Sequence, residues 1–114
     1  DSKGVLHVVD QSGEVFKVNT STGEKTLFAT LQPGLDNLAF DSQGTLYISN
    51  ADFGTIVQML PSGKPRTISR GGMISPMGLA VLPGANKQDA LFVADLFSIE
   101  GLRRSGLRQR GKCL

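Results

Sequence analysis

The chain has 114 residues, a net charge of +2 and a single cysteine, which bounds it to one domain with a modest core and no intrachain disulfide. No apolar run approaches the roughly 20 residues of a membrane-spanning helix, so no membrane span is expected. Paired-cysteine, His-Glu-x-x-His, phosphate-loop and Gly-x-Ser-x-Gly patterns are missing, which removes the metal-finger, zinc-protease, nucleotide-hydrolase and serine-hydrolase classes they mark.

Asp1-Ser-Lys-Gly-Val-Leu-His-Val8 reads as a tight turn feeding a strand, and Asp41-Ser-Gln-Gly-Thr-Leu-Tyr-Ile48 repeats it at an offset of 40. Strands are predicted over 4–9, 14–19 and 24–30 in a first unit. A second unit follows with strands over 35–40, 45–49, 55–60 and 66–69, separated by turns at 41–44, 51–54 and 61–64. Val, Ile, Thr, Tyr and Phe concentrate in the runs, while Gly, Pro, Asp and Ser sit between them. A third unit opens at 75–82, where Leu79-Ala-Val81 repeats Leu38-Ala-Phe40. It passes a longer turn at 83–89 and reaches Ala90-Leu-Phe-Val-Ala94.

A period of about 40 residues built from short strands marks β-propeller blades. The expected fold class is therefore all-β, with four-stranded antiparallel blades forming an incomplete propeller of roughly 2.5–3 blades. Residues 1–98 form the partial propeller: blade one at 1–33 lacks its inner strand, blade two spans 34–70, and blade three, at 75–98, is incomplete. Leu6, Val8, Leu38, Phe40, Leu46, Ile48, Ile56, Leu79, Val81, Leu91 and Val93 are the predicted core. The alternation stops after Phe97, and residues 99–114 read as a basic tail outside the blades. It carries Arg103, Arg104, Arg108, Arg110 and Lys112 and no acid beyond Glu100. No aromatic residue interleaves with these bases, so nucleic acid is not an expected partner. Closed propellers typically have 4–8 blades, and three leave strand edges and apolar faces open. The expectation is a fragment or truncated product of a longer propeller, or a subunit. Another protein or a second copy of the chain, forming an oligomer, would cover the open edges. One cysteine leaves the compartment open, secreted or periplasmic included.

Asp10, Asn50 and Asp95 fall at the same place in the three units, directly after the second strand, and Asp52 lies in the next turn. Together they could form a ligand-binding rim. Asp and Asn also end strands by bonding turn amides, which is the simpler reading of the same positions. His7, the only histidine, aligns with Tyr47 and Phe92, an aromatic position, so its register assigns it to packing. No catalytic residue is identified. Cys113 sits among bases near the chain end without a partner that would make it a nucleophile.

Residues 35–56, Leu-Asp-Asn-Leu-Ala-Phe-Asp-Ser-Gln-Gly-Thr-Leu-Tyr-Ile-Ser-Asn-Ala-Asp-Phe-Gly-Thr-Ile, resemble the NHL-repeat blade. Similar blades occur in the six-bladed propellers of the gluconolactonase-like and strictosidine-synthase-like superfamily. The resemblance covers residues 1 to about 97. It implies a binding or interaction scaffold, with a small molecule or a protein as ligand. Its alternative is a lactonase-like or strictosidine-synthase-like enzyme with an axial divalent cation such as calcium, completed by further blades or a second subunit. For such a cation the matching positions are Asp36 and Asn37. Their counterparts in blade three are Met77 and Gly78, and a thioether is a poor ligand for a hard cation. Asp36 and Asn37 as local turn caps are the competing reading.

Overall fold

The structure, a computed structural model, describes residues 1–96, 99–103 and 110–113. The repeated Asp-Ser-x-Gly segments fold alike. Asp41 Oδ1 accepts the Gln43 and Thr45 N–H groups, both at 2.9 Å, and Asp1 Oδ1 does the same for Lys3 and Val5 at the same distance. Gly44 and Gly4 close the two turns at φ +79 and +77, a region other residues rarely adopt. Each turn launches a strand.

Three antiparallel sheets result. Blade one holds β1 (Leu6–Val9), β2 (Glu14–Val18) and β3 (Lys25–Thr30) in that order. Blade two holds β4 (Leu35–Phe40), β5 (Leu46–Asn50), β6 (Thr55–Met59) and β7 (Pro65–Arg70). Blade three runs β8 (Pro76–Leu82), β9 (Ala90–Asp95), β10 (Ile99–Arg103) and β11 (Arg110–Cys113). The last two strands correct the expectation that the strand pattern ends at Phe97. Ile99–Arg103 pairs along β9, with Gly101 opposite Phe92, and Arg110–Cys113 pairs with β10. Main-chain pairing with β9 prevails there over a central glycine and a charged sequence of weak strand propensity.

Strand residues point alternately to the two sheet faces, and the faces of blade two divide accordingly. Leu46, Ile48, Leu35 and Met59 join Val15 in a core against blade one. Tyr47 and Ile56 join Leu91, Val93 and Met73 in a core against blade three. Of the predicted core, Leu46, Ile48, Ile56, Leu91 and Val93 are buried, while Leu38, Phe40, Leu79 and Val81 are half-buried. Leu6 and Val8 are exposed, against expectation. They occupy the positions of Leu46 and Ile48, but that face of blade one points away from blade two. The opposite end behaves the same way. Phe92 takes the register of Tyr47 and is exposed, because its face points away from the other blades.

Candidate ligand-binding rim

Antiparallel strands send alternate connections to opposite ends of a sheet. The β1–β2 and β5–β6 turns therefore emerge beside the connections 31–34 and 71–75, which carry the chain from blade to blade. These loops are tied to one another. Leu31 N–H donates to the Gly13 carbonyl and Gly34 N–H to that of Gln11, both at 2.8 Å; Ala51 N–H reaches the Gly34 carbonyl at 2.9 Å. Gly13, at φ +101, lies so close to the Leu31 carbonyl that a β-carbon there would stand 2.4 Å from its oxygen. Gly54 has the matching approach to the Met73 carbonyl in the next repeat.

The rim residues expected from the sequence do gather at this end, but most of their polar atoms are engaged by loop backbone. Asn50 is buried. Its amide nitrogen donates to the Gln32 and Pro33 carbonyls, at 3.2 and 2.8 Å, and its oxygen accepts from Asp52 and Phe53 N–H, at 3.1 and 2.9 Å. Asp95 accepts the N–H groups of Ile74, Ser75 and Leu96. Asp10 accepts from the Ser12 hydroxyl and the Glu14 N–H, and these bonds hold its carboxyl below the usual carboxylate range. Asp52 is exposed, with its carboxylate against Gly34.

Asp36 and Asn37 are exposed on β4, in a β-bulge between the Leu35–Asn50 and Leu38–Ile48 pairs; Met77 and Gly78 occupy the same bulge in β8. Sequence reasoning missed what joins the two. The buried Ser49 hydroxyl accepts the Asn37 N–H at 3.0 Å and donates to the Met77 carbonyl at 2.6 Å. A serine between Ile48 and Asn50 in a strand carries no local signal of that bridge. A calcium ion takes six to eight oxygen ligands. Asn37 Oδ1 already accepts the Leu38 N–H at 2.9 Å, and the described residues bring no three metal-capable acids, histidines or cysteines together. Among the described residues, Asp36 and Asn37 are too few to make a calcium site by themselves.

Sequence reasoning also missed an apolar component of the rim. Phe53, Ile74 and Leu96 are 60%, 65% and 58% exposed on the clamped loops. A cleft of about 790 Å³ runs beside Phe53, lined by Gln32, Pro33, Leu35, Asn50 and Arg70 among others. A polar chain stands at the opposite end. Exposed Arg66 donates to buried Gln58, Gln58 to the buried Tyr47 hydroxyl, and Tyr47 to buried Asp41.

His7 lies outside the rim. Its ring packs edge-on against Phe40 and Phe28, with centroids 4.9 and 5.8 Å away, as its register implied. Burial pushes its imidazole below the ordinary value of 6.5; the Val5 carbonyl opposes this, and the terminal ammonium and Lys17 add to it. The unfolded chain then binds more protons below that value. Stability should decline as the pH falls from about 6.5 through the lowered folded-state value. His7→Phe should remove this slope from urea midpoints measured between about pH 7.5 and 5; an unchanged slope would assign it to other groups.

Solved structures resemble this arrangement. A virginiamycin B lyase from Staphylococcus aureus superposes with a TM-score of 0.73 at 15% identity, over 96% of this chain and 38% of its own. An auxiliary nutrient binding protein from Bacteroides thetaiotaomicron superposes with a TM-score of 0.74 at 17% identity, over 96% and 33%. The chain is a partial β-propeller. An extracellular domain from the same Bacteroides species matches at a TM-score of 0.65 and 20% identity, over 96% of this chain and 15% of that one. This propeller segment thus spans well under half the length of each of these structures. No protein-family model and no curated protein matches it.

Proposed function

We propose that the chain is part of a ligand-binding propeller of the NHL-like, six-bladed type, whose small-molecule ligand seats in the cleft at the rim. The cleft carries this reading. Its volume falls within the range of about 300–1,000 Å³ usual for small-molecule sites, and its walls combine strand residues of blade two, Thr55, Val57, Thr67 and Arg70 among them, with the backbone-clamped 31–34 connection. Exposed Phe53 offers apolar contact area, and Arg70 offers a planar cation suited to a carboxylate or phosphate. A neighbour described as a nutrient binding protein accords with a binding role. Met77 at the blade-three position of Asp36 is a poor ligand for a hard cation, which supports binding over an enzyme built on an axial cation. Leu6, Val8 and Leu27 at one end, and Met77, Leu82 and Phe92 at the other, are exposed on the terminal blades. Further blades from another protein or a second copy cover them in the closed ring.

Saturation-transfer NMR with a set of small carboxylates and phosphates tests the site. Binders should lose at least about tenfold in affinity in both Phe53→Ser and Arg70→Ala, each an exposed change expected to alter stability by no more than about 0.5 kcal/mol. Binders that keep full affinity in both variants would place the site elsewhere.

A further inference from the structure

The junctions between blades repeat as the blades do, but they differ at the end opposite the rim. Between blades two and three, side chains close that end. The Tyr47 hydroxyl reaches Asp41 at 3.1 Å, buried Gln58 reaches the same hydroxyl at 3.4 Å, and Ile68 and Val81 pack against the cluster that holds Tyr47. Between blades one and two a cleft of about 580 Å³ stands at the matching place. We propose that this cleft is a second binding site, separate from the rim, for a small aromatic carboxylate.

The strand pairs show what differs. His7 faces Lys17 as Tyr47 faces Gln58, and Phe28 takes the bulge of β3 that Ile68 takes in β7. An imidazole stops short of the place of a phenol oxygen, and His7 turns Nδ1 to the Val5 carbonyl at 3.1 Å. Lys17 is exposed where Gln58 is buried, with its ammonium 4.4 Å from the centre of the Phe28 ring. Tyr47, Gln58 and Ile68 stand on the second, third and fourth strands of blade two, and blade one holds a residue for each. The opening therefore follows from the exchanges at 7 and 17, not from the number of strands in blade one.

The walls specify the ligand. Phe28 and Phe40 meet the His7 ring at 87° and 71°, the edge-on geometry that aromatic rings favour, and a further ring fits among them. Leu46 and Met59, both buried, add apolar wall from blade two. Lys17 and Lys3 line the same cleft and supply positive charge for a carboxylate. Asp1, also on the wall, turns its Oδ1 to the Lys3 and Val5 amides. The volume lies within the range of about 300–1,000 Å³ usual for small-molecule sites. A ring carrying an acid group matches these walls, whereas a cation of the same shape meets like charge.

Saturation-transfer NMR of the whole chain with phenylacetate tests the site, with benzylamine as the cation of similar shape. Phenylacetate should bind, and benzylamine at least about threefold more weakly. His7→Tyr, which rebuilds the filling that Tyr47 gives the next junction, should weaken phenylacetate at least about tenfold. Lys17→Gln, an exposed change that spares folding, should weaken it at least about threefold, the scale of a partly solvated ion pair. Phe53→Ser should leave this affinity unchanged, which separates the site from the rim cleft. No binding at millimolar concentration, equal binding of benzylamine, full affinity in either junction variant, or loss in Phe53→Ser would overturn the proposal.

Discussion

Leu46→Ala should lower folding stability by about 2–5 kcal/mol in urea unfolding, the range for deleting a buried leucine and leaving a partly collapsed cavity. Leu46 is 4% exposed and meets Val15, Leu35, Ile48 and Met59 where blade two rests on blade one. Domains of this size are typically stable by only about 5–15 kcal/mol, so the loss should be visible as a shifted midpoint with an unchanged slope. Leu6→Ala supplies the contrast. Leu6 holds the same place in the repeat but is 49% exposed, so the isolated chain should lose less than about 1 kcal/mol. Equal losses at the two positions would mean that another blade covers Leu6 in solution, and light scattering would then report a mass above one chain. A small loss at Leu46 would overturn the packing of blade two on blade one.

That contrast marks the limit of what the repeat discloses. Period-two alternation and the glycine turns identify the strands, and they say which face each residue takes, because one residue of slip reverses every side chain. They do not say whether a neighbour stands on that face, which is why Leu46 is buried and Leu6 is not. The strands after Phe97 escaped notice for a different reason. Gly101, Arg103, Arg110 and Lys112 resemble loop residues, and the pairing of their strands is decided by the edges they meet, β9 for β10 and β10 for β11. Long-range polar links leave the least trace. The Ser49 bridge and the Arg66–Gln58–Tyr47–Asp41 chain join residues with no common local pattern. At the rim, the positions Asp10, Asn50 and Asp95 were legible from the alignment of the units, and what each bonds to was not.

Asn50 and Asp95 illustrate the point and carry the second large effect. Both end a second strand and grip the connection that enters their own blade, but the groups they grip differ. Asn50 faces two carbonyls and two N–H groups, a demand that a side-chain amide meets with its nitrogen and oxygen. Asp95 receives the N–H groups of Ile74, Ser75 and Leu96, which suits an acceptor-only carboxylate. Asn50→Asp should therefore be severe despite near-identical shape. It places a carboxylate against the carbonyl oxygens of Gln32 and Pro33 at a position 2% exposed, and a buried charge left uncompensated costs about 3–5 kcal/mol. The sign of its pH dependence follows. Burial and the facing carbonyls raise the introduced carboxyl's folded-state pKa above its unfolded value, so the folded state holds the proton more tightly. The variant should regain stability relative to the parent as the pH falls from about 7 toward 4, when the protonated acid can again donate to a carbonyl. Asn50→Ala removes the donor without adding a charge. It should cost less near neutral pH, about 1–3 kcal/mol, with a deficit that does not move with pH. Parallel pH profiles for the two variants would show that Asn50 does not anchor the 31–34 connection through its amide nitrogen.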